Sequence, residues 1–93
     1  MTHEIKIYDY YADAVISGEK TFEVRYNDRG YQKGDFVKFK VMDTTDSVYR
    51  SFPLTSHPLH GKVYEITYIL SGFGVADNWV VFSIRPVEEE KDD

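Results

Sequence analysis

Residues 18–25 have the sequence Gly18-Glu19-Lys20-Thr21-Phe22-Glu23-Val24-Arg25. This one run predicts the end of a helix, a tight turn and the start of a strand, so it gives the clearest local indication of the fold. Gly18 can adopt the left-handed conformation that ends a helix. From residue 21 to 26 apolar and polar side chains alternate, which is typical of a half-buried strand. We therefore expect Phe22 and Val24 to anchor this strand to the core, with Glu23 and Arg25 together on its other face.

Short strands are predicted on both sides of this segment. Period-2 alternation and runs rich in aromatic and β-branched residues both indicate strands. Four further strands are predicted, over residues 2–7, 36–42, 63–70 and 79–84. In the third of these, alternation places Tyr64, Ile66, Tyr68 and Leu70 on one face.

One helix and one long loop complete the predicted organisation. Apolar residues at helical spacing predict a helix over residues 10–17, with Asp9 as its N-cap. Polar residues and two prolines predict an exposed loop over residues 43–60, interrupted by a short strand near residues 48–52. Five to six short strands with one early helix indicate an α+β fold, mainly β. We expect a small mixed β-barrel, because closing the sheet removes exposed strand edges.

The composition excludes several classes of protein and of functional site. A chain of 93 residues supports a single modest core. It contains no cysteine, which excludes disulfides, thiolate zinc sites and a thiol nucleophile. No apolar run approaches the roughly 18 residues that span a bilayer, and the first residues lack the features of a signal peptide. We expect a cytoplasmic protein without membrane contact.

The charge of the chain is unevenly distributed. The net charge is -5, but residues 88–93 hold five acidic residues and one lysine, hence -4, which leaves -1 for residues 1–87. We predict a single domain over residues 1–87 and an acidic disordered tail over residues 88–93. Residues 20–40 hold six basic and three acidic residues, a local charge of +3. This basic segment favours an anionic ligand.

Three charged residues within residues 18–25 are the strongest candidates for a binding site: Lys20, Glu23 and Arg25. Arg25 can bind phosphate through two parallel hydrogen bonds, and Lys20 supplies a point charge. Glu23 can accept a hydrogen bond from a base amine or take up a proton. On spacing alone, Glu23 and Arg25 are equally compatible with an ordinary surface ion pair.

The pattern Gly18-x-Lys20-x-x-Glu23-x-Arg25 resembles the signature of the ASCH superfamily, the activating signal cointegrator homology domains within the PUA-like β-barrels. The closer resemblance is to a bacterial and phage family of unknown function in that superfamily. Further matching blocks are Thr2-His3-Glu4-Ile5-Lys6, Asn27-Asp28-Arg29, Lys33-Gly34-Asp35 and Ile66-Thr67-Tyr68-Ile69-Leu70. The resemblance implies a barrel whose cleft, lined by Lys20, Glu23 and Arg25, binds RNA, a nucleotide or a modified nucleoside. We predict no cofactor.

The same resemblance raises an enzymatic alternative. Some small ASCH relatives are amidohydrolases of acylated pyrimidine nucleosides, with a lysine, a hydroxyl residue three positions later and a distant glutamate as the proposed catalytic set. Lys20 matches the lysine, but Glu23 stands at the hydroxyl position, where a carboxylate is a poor substitute. Glu65 is either a general base or an outward polar residue of its strand. The catalytic candidates are thus Lys20, Glu23 and Glu65, and binding without catalysis is the favoured interpretation. A third hypothesis is an accessory domain that binds a protein.

Other residues carry weaker signals. Tyr26 and Tyr31 border the basic segment and can stack on a base, or can pack in the core. Arg29 is a candidate phosphate contact within a turn. His57 and His60 have ligand-like spacing, but no third ligand lies near in sequence, so we predict no metal site.

Overall fold

The computed structural model describes residues 1–87, so the predicted acidic tail, residues 88–93, lies outside the described residues. The fold is α+β and mainly β, as predicted: six strands form a sheet curled into a half-barrel, with one α-helix. The elements are β1 (Thr2–Tyr8), α1 (Asp9–Ser17), β2 (Phe22–Tyr26), β3 (Phe36–Asp43), a 3-10 helix (Val48–Arg50), β4 (Phe52–Pro53), β5 (Val63–Leu70) and β6 (Trp79–Pro86).

The sheet order places β1 and β2 at the two ends of the curl. The order is β1-β3-β5-β6-β2, with β4 paired to β3 off this path. β1 and β3 are parallel, and the other pairs are antiparallel. We expected a closed barrel, but β1 and β2 do not pair with each other, so no backbone ladder joins the two ends of the sheet. Curling instead brings their outer edges to face each other across a seam.

The core fills the inside of the curl, and helix α1 packs on it through Ala12 and Val15. β1 alternates strictly between exposed and buried residues, which explains its strong sequence signal. The largest fully buried side chains are Phe39, Phe82, Ile5, Leu59, Ile66, Val37 and Val41. Within residues 1–87, no helix has the length and apolar character needed to cross a bilayer.

The ends of helix α1 confirm one prediction and correct another. Gly18 has φ of 84° and donates its N–H to the carbonyl of Val15 at 3.1 Å, so it ends the helix as predicted. Asp9 is the first helical residue and not the N-cap. Its carboxylate accepts hydrogen bonds from the Thr44 hydroxyl at 2.6 Å and the Thr44 N–H at 3.2 Å. This tertiary contact, which local sequence does not reveal, ties the helix to the end of β3.

The segment predicted as a loop over residues 43–60 contains the 3-10 helix and β4, close to the short strand expected near residues 48–52. Its two histidines have separate contacts. His57 Nε2 lies 2.7 Å from Asp13 Oδ1, and His60 Nδ1 accepts the Val41 N–H at 3.1 Å. Among the described residues, no group of three His, Cys, Asp or Glu side chains is placed to hold a metal ion.

An irregularity in β5 overturns the predicted faces of that strand. The pairing with β6 shifts register between Ile66 and Tyr68. Beyond this bulge Tyr68 is 61% exposed, and Ile69 packs against the core in its place. The prediction that Ile66 and Tyr68 share a face is therefore wrong, because one extra residue in β5 reverses which side chains point inward.

Candidate ligand-binding cleft

A cleft of about 1220 Å³ occupies the seam between the outer edges of β1 and β2. Five consecutive residues of each strand line it, Glu4 to Tyr8 and Phe22 to Tyr26, as expected for two strand edges that face each other. The remaining lining comes from α1, the turns around β2, strand β3, the residue after the 3-10 helix and the start of β6. Those residues are Tyr11, Ala14, Glu19, Lys20, Asp28, Arg29, Tyr31, Lys40, Met42, Ser51 and Trp79.

β2 carries its charged face inward and its apolar face outward. Glu23 is only 2% exposed, whereas Phe22 and Val24 are 43% and 49% exposed. Glu23 and Arg25 share a face, as predicted, but the expectation that Phe22 and Val24 anchor the strand is wrong. The inner face of this end strand looks onto the edge of β1, where backbone carbonyls need donors, and so polar side chains fit there better than apolar ones.

The buried carboxylate of Glu23 is held by two cations. Arg25 donates from Nε at 3.2 Å and from Nη2 at 2.6 Å to Glu23 Oε1. Lys20 Nζ donates to Glu23 Oε2 and also to the carbonyl of Phe22, at 2.6 Å. Among residues 1–87 no buried side-chain nitrogen or oxygen lacks a partner. The turn after Gly18 and the strand after that turn therefore bring Lys20, Glu23 and Arg25 into one charged cluster.

Two arginines bridge the seam from the β2 side to the edge of β1. Arg25 Nη2 donates to the carbonyl of Lys6 at 2.7 Å, and Arg29 Nη1 donates to the carbonyl of Glu4. These side chains supply donors to an edge strand whose carbonyls on this side face away from its partner β3. They fix the position of both guanidinium groups beside the cleft.

Burial alters the protonation of the cluster. Desolvation lowers the pKa of Lys20 to about 8, and the positive charge of Arg25 acts in the same direction. The contact with Glu23 opposes this shift, because a carboxylate favours the ammonium form. Burial also lowers the pKa of Arg25, although its guanidinium stays protonated at neutral pH. Lys20 is thus the member of the cluster whose charge depends on mildly alkaline pH.

The two candidate tyrosines have different environments. Tyr31 is 6% exposed, and its ring lies 5.0 Å from Phe82 and 4.8 Å from His3 between centroids. It is a core residue with both neighbours in place, so the stacking hypothesis is wrong for Tyr31. Tyr26 is 51% exposed and meets Trp79, 41% exposed, edge to face at 5.9 Å. This pair forms an accessible aromatic rim at one end of the cleft.

The model of a family described as Domain of unknown function (DUF3850) matches residues 2–84. The chain belongs to this family. No curated protein matches the chain. The DUF3850 match spans every residue that lines the cleft, from Glu4 to Trp79, so the whole cleft lies within the matched domain.

Most of the predicted site residues meet in this DUF3850 cleft. The five predicted ligand-binding residues all line it: Lys20, Glu23, Arg25, Tyr26 and Arg29. Glu65, the third catalytic candidate, does not line it. Glu65 accepts a hydrogen bond from Arg85 across the β5–β6 pair. The structure therefore separates Glu65 from Lys20 and Glu23.

Sequence reasoning missed several aromatic residues of the cleft, among them Trp79 and Tyr11. Trp79 reads as the first residue of a strand, and only the pairing of β2 with β6 places it opposite Tyr26. Tyr11 reads as a helix residue of the core face, yet it is 49% exposed, with Lys20 Nζ 5.7 Å from its ring centroid. The exposed fraction of a side chain at the end of a sheet depends on the curl, which no local pattern encodes.

Proposed function

We propose that the cleft binds an RNA strand or a nucleotide, with Lys20 and Arg25 contacting phosphate and the exposed aromatic side chains of the cleft contacting a base. The inverted strand β2 carries this proposal. Burying an ion pair is a weak way to stabilise a fold, because the desolvation of the charges offsets most of their attraction. A strand that keeps charges inward and apolar side chains outward breaks the usual pattern, and such departures concentrate at functional sites.

Glu23 suits an orienting role in such a site. Its carboxylate holds Lys20 and Arg25 side by side, so less side-chain freedom is lost when an anion binds. Arg25 Nη1 forms no hydrogen bond to the described residues, and the Arg25 side chain is 25% exposed. Charge-assisted hydrogen bonds from such a preoriented guanidinium are the strong contacts that phosphate recognition uses.

The sequence signature supports the same ligand class. We propose that this DUF3850 domain is an ASCH-type, PUA-like domain, on the strength of Gly18-x-Lys20-x-x-Glu23-x-Arg25. By that resemblance, Lys20, Glu23 and Arg25 would line the ligand cleft, which agrees with their positions in the seam.

Titration of the chain with UMP and with an octauridylate RNA tests the proposal. Lys20→Ala should weaken binding by about tenfold, the loss expected for one charge-assisted hydrogen bond of about 1.5 kcal/mol. Lys62→Ala is the matched control, because Lys62 is exposed and does not line the cleft. Affinity should also fall as salt rises. Absence of binding to both probes, or binding that Lys20→Ala leaves unchanged, would overturn the proposal.

A second candidate is hydrolysis of acylated pyrimidine nucleosides, which the lowered pKa of Lys20 beside a carboxylate favours. Against it, Glu23 already accepts hydrogen bonds from both Lys20 and Arg25, and Glu65 lies outside the cleft. Incubation with N-acetylated cytidine, with released acetate as the readout, separates the two functions. Turnover that disappears in Lys20→Ala would establish the enzymatic function, and absence of turnover would leave the binding function.

A further inference from the structure

The cleft is an elongated groove between two strands that run in opposite directions. Its β2 wall, Phe22 to Tyr26, extends about 13 Å at a rise of about 3.3 Å per residue. The contacts across the seam show that β1 runs in the opposite sense. Arg25 reaches Lys6, and Arg29, further along the chain, reaches Glu4.

Three cations lie in sequence along this groove. Lys20 lies at the end near helix α1, where its Nζ is 5.7 Å from the ring centroid of Tyr11. Arg25 lies at the middle, beside the carbonyl of Lys6, and Arg29 lies at the far end, beside the carbonyl of Glu4. Lys20 and Arg25 share the Glu23 carboxylate and Arg29 lies apart from it, so the groove has two separate cationic positions, which match successive phosphates of a chain better than the single phosphate of one mononucleotide.

Exposed aromatic side chains lie at both ends of the row. Near Lys20 are Tyr11, 49% exposed, and Phe22, 43% exposed, with Lys20 Nζ 5.2 Å from the Phe22 centroid. At the other end are Tyr26 and Trp79. Each end can therefore offer an aromatic face or edge to a separate base, and every base presents a π-face for such contacts.

The volume of the cleft agrees with a ligand longer than one nucleotide. Sites for single small molecules typically have volumes of about 300 to 1000 Å³. The cleft, at about 1220 Å³, exceeds this range.

Building on the proposed function, we infer that the occupant is a single-stranded polynucleotide segment of about three nucleotides. It lies along the seam, with one base at the Tyr11–Phe22 end, another at the Tyr26–Trp79 end, and its phosphates beside Lys20, Arg25 and Arg29. Bases in a duplex are stacked and paired, so their faces would be hidden from both aromatic ends.

Trp79 provides a direct reporter of the far end, because it is the single tryptophan of the chain. The experiment titrates the full chain with uridylates of one to six nucleotides, and with matched deoxyuridylates, while following tryptophan fluorescence and, separately, heat of binding. Affinity should rise from one to about three nucleotides and then level off. Quenching of Trp79 should be strong with the trimer and weak with UMP. Tighter binding of the RNA series than of the DNA series would assign the ligand to RNA, and equal binding would assign it to single strands of either sugar.

Substitutions at the Tyr26–Trp79 end of the groove should lower the affinity for long ligands more than the affinity for short ones. Trp79→Ala and Tyr26→Ala should each weaken trimer binding by about fivefold to 150-fold, the range of one base–aromatic stack, and should weaken UMP binding by a smaller factor. Arg29→Ala should reduce the salt slope of trimer binding by about 0.7. Tyr68→Ala is the control, because Tyr68 is 61% exposed and does not line the cleft.

The outcomes separate this inference from the function on which it rests. UMP and trimer binding with equal affinity, with neither affected by Trp79→Ala, would overturn the inference and leave nucleotide binding intact. Duplex RNA binding as tightly as the single strand would also overturn it. Absence of binding to UMP and to every oligonucleotide would overturn the proposed function itself.

Discussion

Glu23 is the residue on which the geometry of the cleft depends. It is a carboxylate that is 2% exposed, and the protein stabilises it with Lys20 on one oxygen and Arg25 on the other. A buried charge without partners would be strongly destabilising. The three residues therefore act as a unit, and we expect removal of one member to disturb the positions of the other two.

The lowered pKa of Lys20 predicts a pH dependence of ligand binding. Lys20 is charged below about pH 8 and loses its proton as the pH rises through that value. Phosphodiesters remain anionic throughout, so affinity for octauridylate should fall between pH 7 and pH 9. Titrations at several pH values test this. Lys20→Arg should abolish the decline, because a guanidinium stays charged; the same decline in Lys20→Arg would assign it to another group.

At the scale of elements, β2 and β5 show how the inward face of a strand is chosen. In β2 the alternation is intact, but the face that points inward is the charged one. In β5 the alternation itself is broken by the bulge between Ile66 and Tyr68. Both departures from simple patterning arise from pairing with β6, which lies later in the chain than either strand.

The bulge in β5 predicts that truncation of Ile69 lowers the free energy of unfolding more than truncation of the adjacent Tyr68. Ile69→Ala should lower the free energy of unfolding by about 1 to 2 kcal/mol, less than the range of about 2 to 5 for fully buried residues, because Ile69 is only partly buried on the core. Tyr68→Ala should change it little, since Tyr68 is 61% exposed. Urea denaturation measures both. A larger loss at Tyr68 than at Ile69 would contradict the register of the bulge.

At the scale of the whole molecule, the seam is the place where the sheet does not close. β1 and β2 end the sheet order, and arginine side chains connect them in place of a backbone ladder. The gap keeps a cleft open between two strand edges, so the incomplete closure of the half-barrel and the presence of the cleft have the same cause.

The bridge across the seam predicts unequal roles for its two arginines in stability. Arg25→Ala should lower the free energy of unfolding by about 1 to 3 kcal/mol, because it removes both hydrogen bonds that Oε1 of the buried Glu23 accepts from Arg25. Arg29→Ala should have a smaller effect, since Arg29 is exposed and donates only to the carbonyl of Glu4 among its described contacts. Urea denaturation of both variants tests this, and equal losses would indicate that Glu23 does not depend on Arg25.

Features that depend on neighbouring residues could be predicted from local patterns. Alternation predicted the main strands and placed Glu23 and Arg25 on one face, and Gly18 predicted the end of the helix, because backbone geometry relates residues that are close in the chain. Three outcomes became visible only in the folded chain: the inward face of β2, the place of Trp79 in the cleft and the position of Glu65 outside it. Those outcomes depend on the curl of the sheet and on the register between strands distant in sequence, which no local pattern specifies.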